Sequence, residues 1–114
     1  MMNDCVFCKI IAKQIKTEFI LEKEHCVVIK DIYPKAAIHL LIIPKKHIEN
    51  VKFVEPVDAN ILSDILLTAK ELSNTIPHAS DFKLVINNGA NAGQHVFHLH
   101  MHFLAGIAHD RSLV

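Results

Sequence analysis

The segment that most restricts the fold of this chain is QHVFHLHMHFL, residues 94–104, in which histidine and apolar residues alternate. His98, His100 and His102 are two residues apart, and successive side chains of a β-strand point to opposite faces. A strand over 96–104 therefore predicts three imidazoles on one face, about 7 Å apart from one to the next. The apolar residues between them face the other way, into a core beneath a helix: Phe97, Leu99, Met101 and Phe103.

An exposed strand face made only of imidazoles has three interpretations. The first is a solvated surface that happens to be rich in histidine, although such surfaces usually mix lysine, glutamate, threonine and serine. The second is a metal site, because three imidazoles can hold a catalytic zinc. The third is nucleophilic chemistry, in which a neutral imidazole nitrogen attacks phosphorus and forms a covalent nucleotidyl-histidine. This third interpretation requires that an acceptor hold the second ring nitrogen, so that the attacking nitrogen carries no proton.

Hydrophobic periodicity predicts the other elements of the chain. A short helix covers about 5–13, with Asp4 near its N-cap, and a long amphipathic helix covers about 56–75. Further strands are predicted at 19–22, 25–30, 37–44 and 82–86. This order predicts an α+β fold with a mainly antiparallel five-stranded sheet, in which 82–86 pairs with the histidine strand and the helices cover one face.

The composition restricts the possible partners. The length of 114 residues suits one domain, 1–114, and the 12 basic and 12 acidic residues leave no surplus of positive charge for DNA or RNA. No apolar run approaches the roughly 18 residues of a membrane span, and the first residues lack the apolar stretch of a secretory signal. With three cysteines and no export signal, we expect a cytoplasmic protein with no membrane partner.

Cys5 and Cys8 form a C-x-x-C motif at the start of the first predicted helix. Taken alone, the motif is compatible with zinc binding, with redox chemistry or with two incidental core thiols. No βαβ pattern of the thioredoxin type surrounds it, and a closed zinc site needs about two more ligands. Cys26 lies inside a predicted strand and is expected to be a small core residue.

Three stretches together resemble the histidine-triad (HIT) family: CVFCKI at 5–10, KDIYPKAAIHLLIIPKKHI at 30–48 and INNGANAGQHVFHLHMHFL at 86–104. The resemblance is greatest to the Hint branch, the nucleoside phosphoramidate hydrolases. It implies a HIT-like fold over 1–114 and a homodimer whose sheets join, with the long helices at the interface. It also implies cleavage of the P–N bond of a purine nucleoside 5′-phosphoramidate through a nucleotidyl-histidine, without a catalytic metal. The products are a nucleoside monophosphate and an amine.

The resemblance implies a role for each residue of the site. His100 matches the nucleophile, His102 matches the histidine that binds phosphate and assists the leaving group, and His98 matches the histidine that supports the site. The implied nucleotide contacts are Asp31 to the ribose hydroxyls, Ile32 to the base, and Asn87, Gly93, Gln94 and His95 near the phosphate. Apart from the resemblance, Asp31 also suits a plain turn and Ile32 an ordinary core position. Asn87 and Gly93 also suit hairpin geometry.

The resemblance bears on the C-x-x-C motif as well. Some family members bind a structural zinc through two cysteines, a loop histidine and the first triad histidine, which here match Cys5, Cys8, His47 and His98. The alternative is a metal-free cysteine pair with His47 on the surface. Four further histidines receive no role: His25, His39, His78 and His109.

Two departures from the family pattern bear on the substrate preference. His95 stands where many relatives carry serine or threonine, and Leu104-Ala-Gly-Ile follows the triad where relatives continue Gly-Gly-Arg toward a tail that shapes the leaving-group pocket. The alternatives that stay open are hydrolysis of dinucleoside polyphosphates and a nucleotide-binding regulator or scaffold with incidental hydrolysis. A third is a zinc protein whose triad binds the metal.

Overall fold

The computed structural model of the protein describes residues 4–106, so His109 and the tail after the last strand lie outside the described residues. Two helices and five strands follow one another within this range as α1 (Val6–Ile11), β1 (Leu21–Glu22), β2 (Cys26–Lys30), β3 (Ile38–Pro44), α2 (Ala59–Thr75), β4 (Phe82–Val85) and β5 (Met101–Ala105). Short 3₁₀ turns lie at Val51–Phe53, Pro56–Asp58 and Ala90–Ala92.

The five strands form one sheet in the order β1–β2–β3–β5–β4, and every neighbouring pair is antiparallel. The predicted hairpin partner of the histidine strand is present, since β4 pairs with β5 and places Val85 opposite His102. β3 pairs with the other side of β5 and places Leu41 opposite His102. The predicted α+β fold, with a five-stranded antiparallel sheet, a short N-terminal helix and one long helix, is therefore confirmed.

The two helices cover opposite faces of the sheet, so the prediction that both lie on one face is wrong. One face packs against α2, in a cluster that includes Val28, Leu40, Ile42, Ile65, Ala69 and Leu72. The other packs against α1, in a cluster that includes Val27, Ile29, Leu41, Ile43, Phe7 and Ile10. The cause lies in β2 and β3, whose consecutive apolar residues present a hydrophobic surface on both faces.

The histidine strand is shorter than predicted, because β5 begins at Met101 and not at 96. Residues 96–98 form a bend, and the Leu99 N–H donates to the Ile48 carbonyl at 2.7 Å instead of to β3. Leu99, Met101 and Phe103 are buried as predicted. Phe97 is 47% exposed, so its predicted place in the core is wrong: the strand alternation that placed it there does not extend through the bend.

The helix ends differ from the predictions in detail. α1 is capped by Cys5, whose Sγ accepts from the Cys8 N–H at 3.3 Å, and not by Asp4. The predicted helix over 56–75 starts as a 3₁₀ turn and becomes α-helical at Ala59. Within residues 4–106, neither helix has the length and apolar character that crossing a bilayer requires.

Candidate active site

The His100 ring is held through one of its two nitrogens. Its Nδ1 lies 2.8 Å from the main-chain carbonyl oxygen of His98. Because a carbonyl oxygen only accepts, Nδ1 carries the hydrogen and donates it, which leaves a lone pair on Nε2. Among residues 4–106, no protein group forms a hydrogen bond with that Nε2. Burial lowers the pKa of His100, so the ring is neutral at neutral pH, while 9% of the residue stays exposed to a ligand.

The His98 ring has different hydrogen-bond partners from the His100 ring, although both rings contact Phe7. The residue lies in the bend before β5 and is fully buried. Its Nε2–H donates to the Pro44 carbonyl oxygen at 2.7 Å, which leaves the lone pair on Nδ1. Burial lowers the pKa of His98 to about 4, so this nitrogen stays unprotonated.

The Nδ1 atom of His98 belongs to a cluster of four potential metal ligands, which are Cys5, Cys8, His47 and His98. It lies 3.3 Å from Cys5 Sγ, 3.6 Å from Cys8 Sγ and 3.1 Å from His47 Nδ1. The remaining short contact joins Cys8 Sγ and His47 Nδ1 at 3.3 Å. A tetrahedral zinc with usual bond lengths separates two nitrogens by about 3.4 Å and a sulfur from a nitrogen by about 3.6 Å. The spacing and the donor set therefore fit one such ion.

The cysteine pair is poorly suited to hold two negative charges without a cation. Burial, followed by the neighbouring Cys5, raises the pKa of Cys8 to about 11. A metal ion displaces that proton when thiolates bind it. The His98 ring is oriented for binding because the Pro44 carbonyl holds its other nitrogen, the usual arrangement of a metal-ligating histidine. These four residues can hold a metal ion, and their chemistry is compatible with a structural zinc.

His102 is held by a residue to which the sequence assigned no role, His39. His39 Nε2 lies 2.8 Å from His102 Nδ1 and 3.3 Å from Asp31 Oδ2. The Lys35 main-chain N–H donates to His39 Nδ1 at 3.0 Å, so the hydrogen of the neutral His39 ring is on Nε2. His39 therefore donates to His102 Nδ1, which puts the hydrogen of His102 on its Nε2.

This hydrogen-bond chain decides between two uses of the cluster Asp31, His39 and His102. The donor atoms lie close enough to be considered as metal ligands. Because His39 Nε2 carries a hydrogen, however, it has no lone pair for a cation. Burial, with smaller effects from the neighbouring imidazoles, lowers the pKa of His102 to about 4, so that ring is neutral as well. The arrangement suits hydrogen-bond donation by His102 Nε2 and not metal binding.

Sequence reasoning missed His39 because its partner depends on strand register. Leu41 of β3 lies opposite His102, and His39 is two residues away on the same face of β3. The His39 and His102 rings are 5.1 Å apart between centroids, the same separation as between the His100 and His102 rings. The only sequence signal was a histidine within an otherwise apolar strand, IHLLIIP at 38–44.

The residues predicted to contact the ribose and the base lie just after β2. Asp31 Oδ1 accepts from the Tyr33 N–H at 2.7 Å, so this oxygen does serve the turn. Asp31 Oδ2 points toward the histidines and lies 4.0 Å from His102 Nδ1. Ile32 is 81% exposed and is not a core residue, which leaves its side chain available to a ligand.

The loop between β4 and β5 is held by the buried side chain of Gln94. Its Oε1 accepts from the Gly89 N–H at 2.8 Å and from Asn50 Nδ2 at 3.2 Å. Its Nε2 donates to the carbonyls of Glu49 and Val96 at 2.7 and 3.1 Å. All four hydrogen-bonding positions of the amide are thus used by the protein.

The same loop contains Asn87, Gly89, Gly93 and His95. Gly89 and Gly93 have φ values of +98° and +95°, which favour glycine. A Cβ added at Gly93 would lie 3.9 Å from the Asn87 side chain, so these two residues are adjacent. His95 is exposed. The predicted phosphate residues therefore share one constrained loop.

Replacing Gln94 with alanine is expected to lower the free energy of unfolding by about 2–4 kcal/mol, because it removes the partners of buried main-chain groups. Urea unfolding measures the effect. Gln14, an exposed glutamine after α1, provides the matched control, and Gln14→Ala should change stability by less than about 0.5 kcal/mol. Equal stability of the two variants would show that Gln94 does not hold the loop.

Comparison with known proteins identifies the family. Residues 4–112 match the family model described as scavenger mRNA decapping enzyme C-term binding. A HIT-like protein of Synechocystis sp. is 42% identical over 106 residues, covering 93% of each chain. Protein HitA of Neisseria gonorrhoeae is 39% identical over 103 residues, covering 90% of this chain and 96% of the relative.

Solved structures agree with these matches over nearly the full length. A HIT family hydrolase from Clostridium thermocellum superimposes with a TM-score of 0.93 at 41% identity, covering 100% of both chains. A HIT family hydrolase from Legionella pneumophila gives a TM-score of 0.89 at 37% identity, covering 95% of this chain and 97% of the other. On its sequence, its fold and its histidine site, the chain belongs to the histidine-triad (HIT) family.

Proposed function

We propose that this protein is a nucleotide hydrolase of the Hint branch that cleaves purine nucleoside 5′-phosphoramidates through a covalent intermediate on His100. The observation that carries the proposal is the hydrogen bond from His100 Nδ1 to the His98 carbonyl, which leaves a lone pair on Nε2 of a neutral, partly accessible ring. Similarity to HIT family hydrolases supports the reaction class.

In the first step, His100 Nε2 attacks the α-phosphorus, a bond forms between nitrogen and phosphorus, and the P–N bond to the amine breaks. The reacting substrate carries a proton on its amine nitrogen, taken from solvent, so the amine leaves uncharged. In the second step, water attacks the phosphorus, His100 leaves as a neutral ring, and one proton returns to solvent. The products are a nucleoside monophosphate and an amine.

The neighbouring residues bind and orient the substrate in this proposal. His102 donates from Nε2 to a phosphoryl oxygen or to the departing nitrogen, because the chain from Lys35 through His39 fixes its hydrogen there. Asp31 accepts from the ribose hydroxyls through Oδ2, and Ile32 packs against the base. The loop residues Asn87, Gly93, Gln94 and His95 surround the phosphate, with Gln94 acting through the loop that it holds.

The remaining proposals concern the setting of the site. We assign residues 1–114 to a single HIT domain, and the cluster of Cys5, Cys8, His47 and His98 to a structural zinc; no catalytic metal takes part. Leu66 and Leu67 on α2 are 56% and 59% exposed, which supports a homodimer in which this helix is covered. We assign the protein to the cytoplasm, with neither a nucleic acid nor a membrane as partner.

The test is a hydrolysis assay of the purified protein with adenosine 5′-phosphoramidate and, in parallel, with diadenosine polyphosphates. The proposal expects AMP and ammonia from the first substrate, with kcat/KM at least about tenfold higher than for the second. Preference for the polyphosphates would make the protein a dinucleoside polyphosphate hydrolase. Tight AMP binding without turnover of either substrate would make it a nucleotide-binding regulator.

A further inference from the structure

We propose that the metal-ligand cluster of Cys5, Cys8, His47 and His98 positions the nucleophile, so that metal binding at one side of the sheet controls the orientation of His100. This inference rests on the proposed function for its catalytic readout. In this inference, His47 and Cys8 are positioning residues that do not contact the substrate. His47 acts through His98, and Cys8 acts through His98 and through α1.

The first connection runs through the two ends of residue His98. Its side chain presents Nδ1 to Cys5, Cys8 and His47, while its main-chain carbonyl accepts the hydrogen bond from His100 Nδ1 at 2.8 Å. The residue lies in a bend before β5, outside the ladder that holds Met101 to β3. The His98 carbonyl shares one peptide plane with the Leu99 N–H, which donates to the Ile48 carbonyl at 2.7 Å. The direction of the carbonyl therefore depends on the loop that carries His47 and Ile48, and on the groups that hold the His98 ring, which are Pro44 and the ligand cluster.

The second connection runs through Phe7 on α1. The Phe7 ring makes edge contacts with the rings of His98 and His100, at centroid distances of 5.8 and 5.1 Å. Cys5 and Cys8 bracket Phe7 in the sequence, so ligation of both thiols fixes the turn of helix that carries it. α1 has only six residues, too few to be stable alone, and depends on its attachments.

Both connections end at the imidazole ring of His100. The His98 carbonyl sets the hydrogen-bonded nitrogen of His100, and Phe7 limits the tilt of the ring. A metal ion that joins α1 to the His47 loop and to His98 holds both contacts at once. Groups that hold a ligand in place commonly change activity or affinity by about 10–100-fold when they are lost.

The experiment compares zinc-loaded wild-type protein with two variants that lack one ligand, Cys8→Ser and His47→Ala. Cys26→Ala is the matched control, because that thiol is buried beside Thr68 and lies outside the ligand cluster. Zinc content is measured for each protein, and ¹⁵N-edited NMR follows the exchange of the His100 Nδ1–H with solvent. The third measurement is kcat and KM for adenosine 5′-phosphoramidate.

The expected result is one zinc per chain in wild type and Cys26→Ala, and its loss in the two ligand variants. In those variants, the His100 Nδ1–H should exchange at least about tenfold faster and kcat should fall about 10–100-fold, with KM within about threefold. His47→Cys, which keeps a zinc ligand, should recover the slow exchange. Amide exchange in β3 and β5 reports whether each variant is folded, and zinc removal from wild type replaces any variant that is not.

Two results would overturn the inference: a wild-type protein that binds no zinc, or His100 Nδ1–H exchange that is the same with and without the metal. Failure of the proposed function looks different. In that case exchange at His100 still responds to zinc, but no protein hydrolyses the phosphoramidate. Hydrolysis that is unaffected by zinc removal, with unchanged exchange, leaves the proposed function intact and rejects the positioning role.

Discussion

Replacing His100 with alanine is expected to reduce kcat/KM for adenosine 5′-phosphoramidate by about 10⁴-fold or more, because the variant has no atom to form the covalent intermediate. AMP affinity should change by less than about tenfold, since Asp31, Ile32 and the loop after β4 stay in place. Steady-state kinetics and AMP titration measure the two quantities. His25→Ala, in the turn before β2, is the matched histidine control and should keep wild-type activity.

Two further measurements separate nucleophilic attack from a structural role of His100. His100→Gly should regain part of its activity when free imidazole is added, because a diffusing imidazole can occupy the vacated position. Wild-type protein quenched under alkaline conditions during turnover should carry a nucleotide on His100, detectable by mass spectrometry. An active His100→Ala protein, or turnover with no labelled intermediate together with no imidazole rescue, would remove His100 from the mechanism.

Most of the fold follows from patterns that act over a few residues. The apolar period of α2 and the β-branched run of β2 predicted those elements to within a few residues. The pairing of β4 with β5 followed from the loop rich in asparagine and glycine between the two predicted strands. The position of α1 did not follow, because an amphipathic helix can cover either face of a sheet whose strands are apolar on both.

The triad shows where such reasoning stops. Alternation predicts side-chain direction only as long as the strand continues, and here the strand starts at Met101. His100 and His102 are neighbours as the spacing predicted, with rings 5.1 Å apart. His98 lies outside the strand, in a bend followed by the hydrogen bond from Leu99 to Ile48, and its ring joins the cysteine cluster. No local pattern in the sequence contains that long-range contact.

His39 is the residue whose replacement best tests the hydrogen-bond chain. Its Nε2–H donates to His102 and its Nδ1 accepts from Lys35, so its two ring nitrogens have separable roles. The side-chain amide of glutamine lies near the position of Nε2, and that of asparagine lies near the position of Nδ1. His39→Gln keeps a donor for His102, whereas His39→Asn keeps only an acceptor for Lys35.

We therefore expect His39→Gln to keep kcat within about tenfold of wild type and His39→Asn to lower kcat by about 10²-fold or more. In His39→Asn, His102 is free to carry its hydrogen on Nδ1, and a ring in that tautomer cannot donate from Nε2. The ¹⁵N chemical shifts of the His102 ring distinguish the two tautomers directly, and kcat for adenosine 5′-phosphoramidate reports the consequence. Both replacements are polar and differ by one methylene, so a general loss of packing affects them alike. If the two variants have equal activity, or if the His102 tautomer is unchanged in His39→Asn, then His39 does not set the hydrogen position of His102, and the phosphoryl group must be bound in another way.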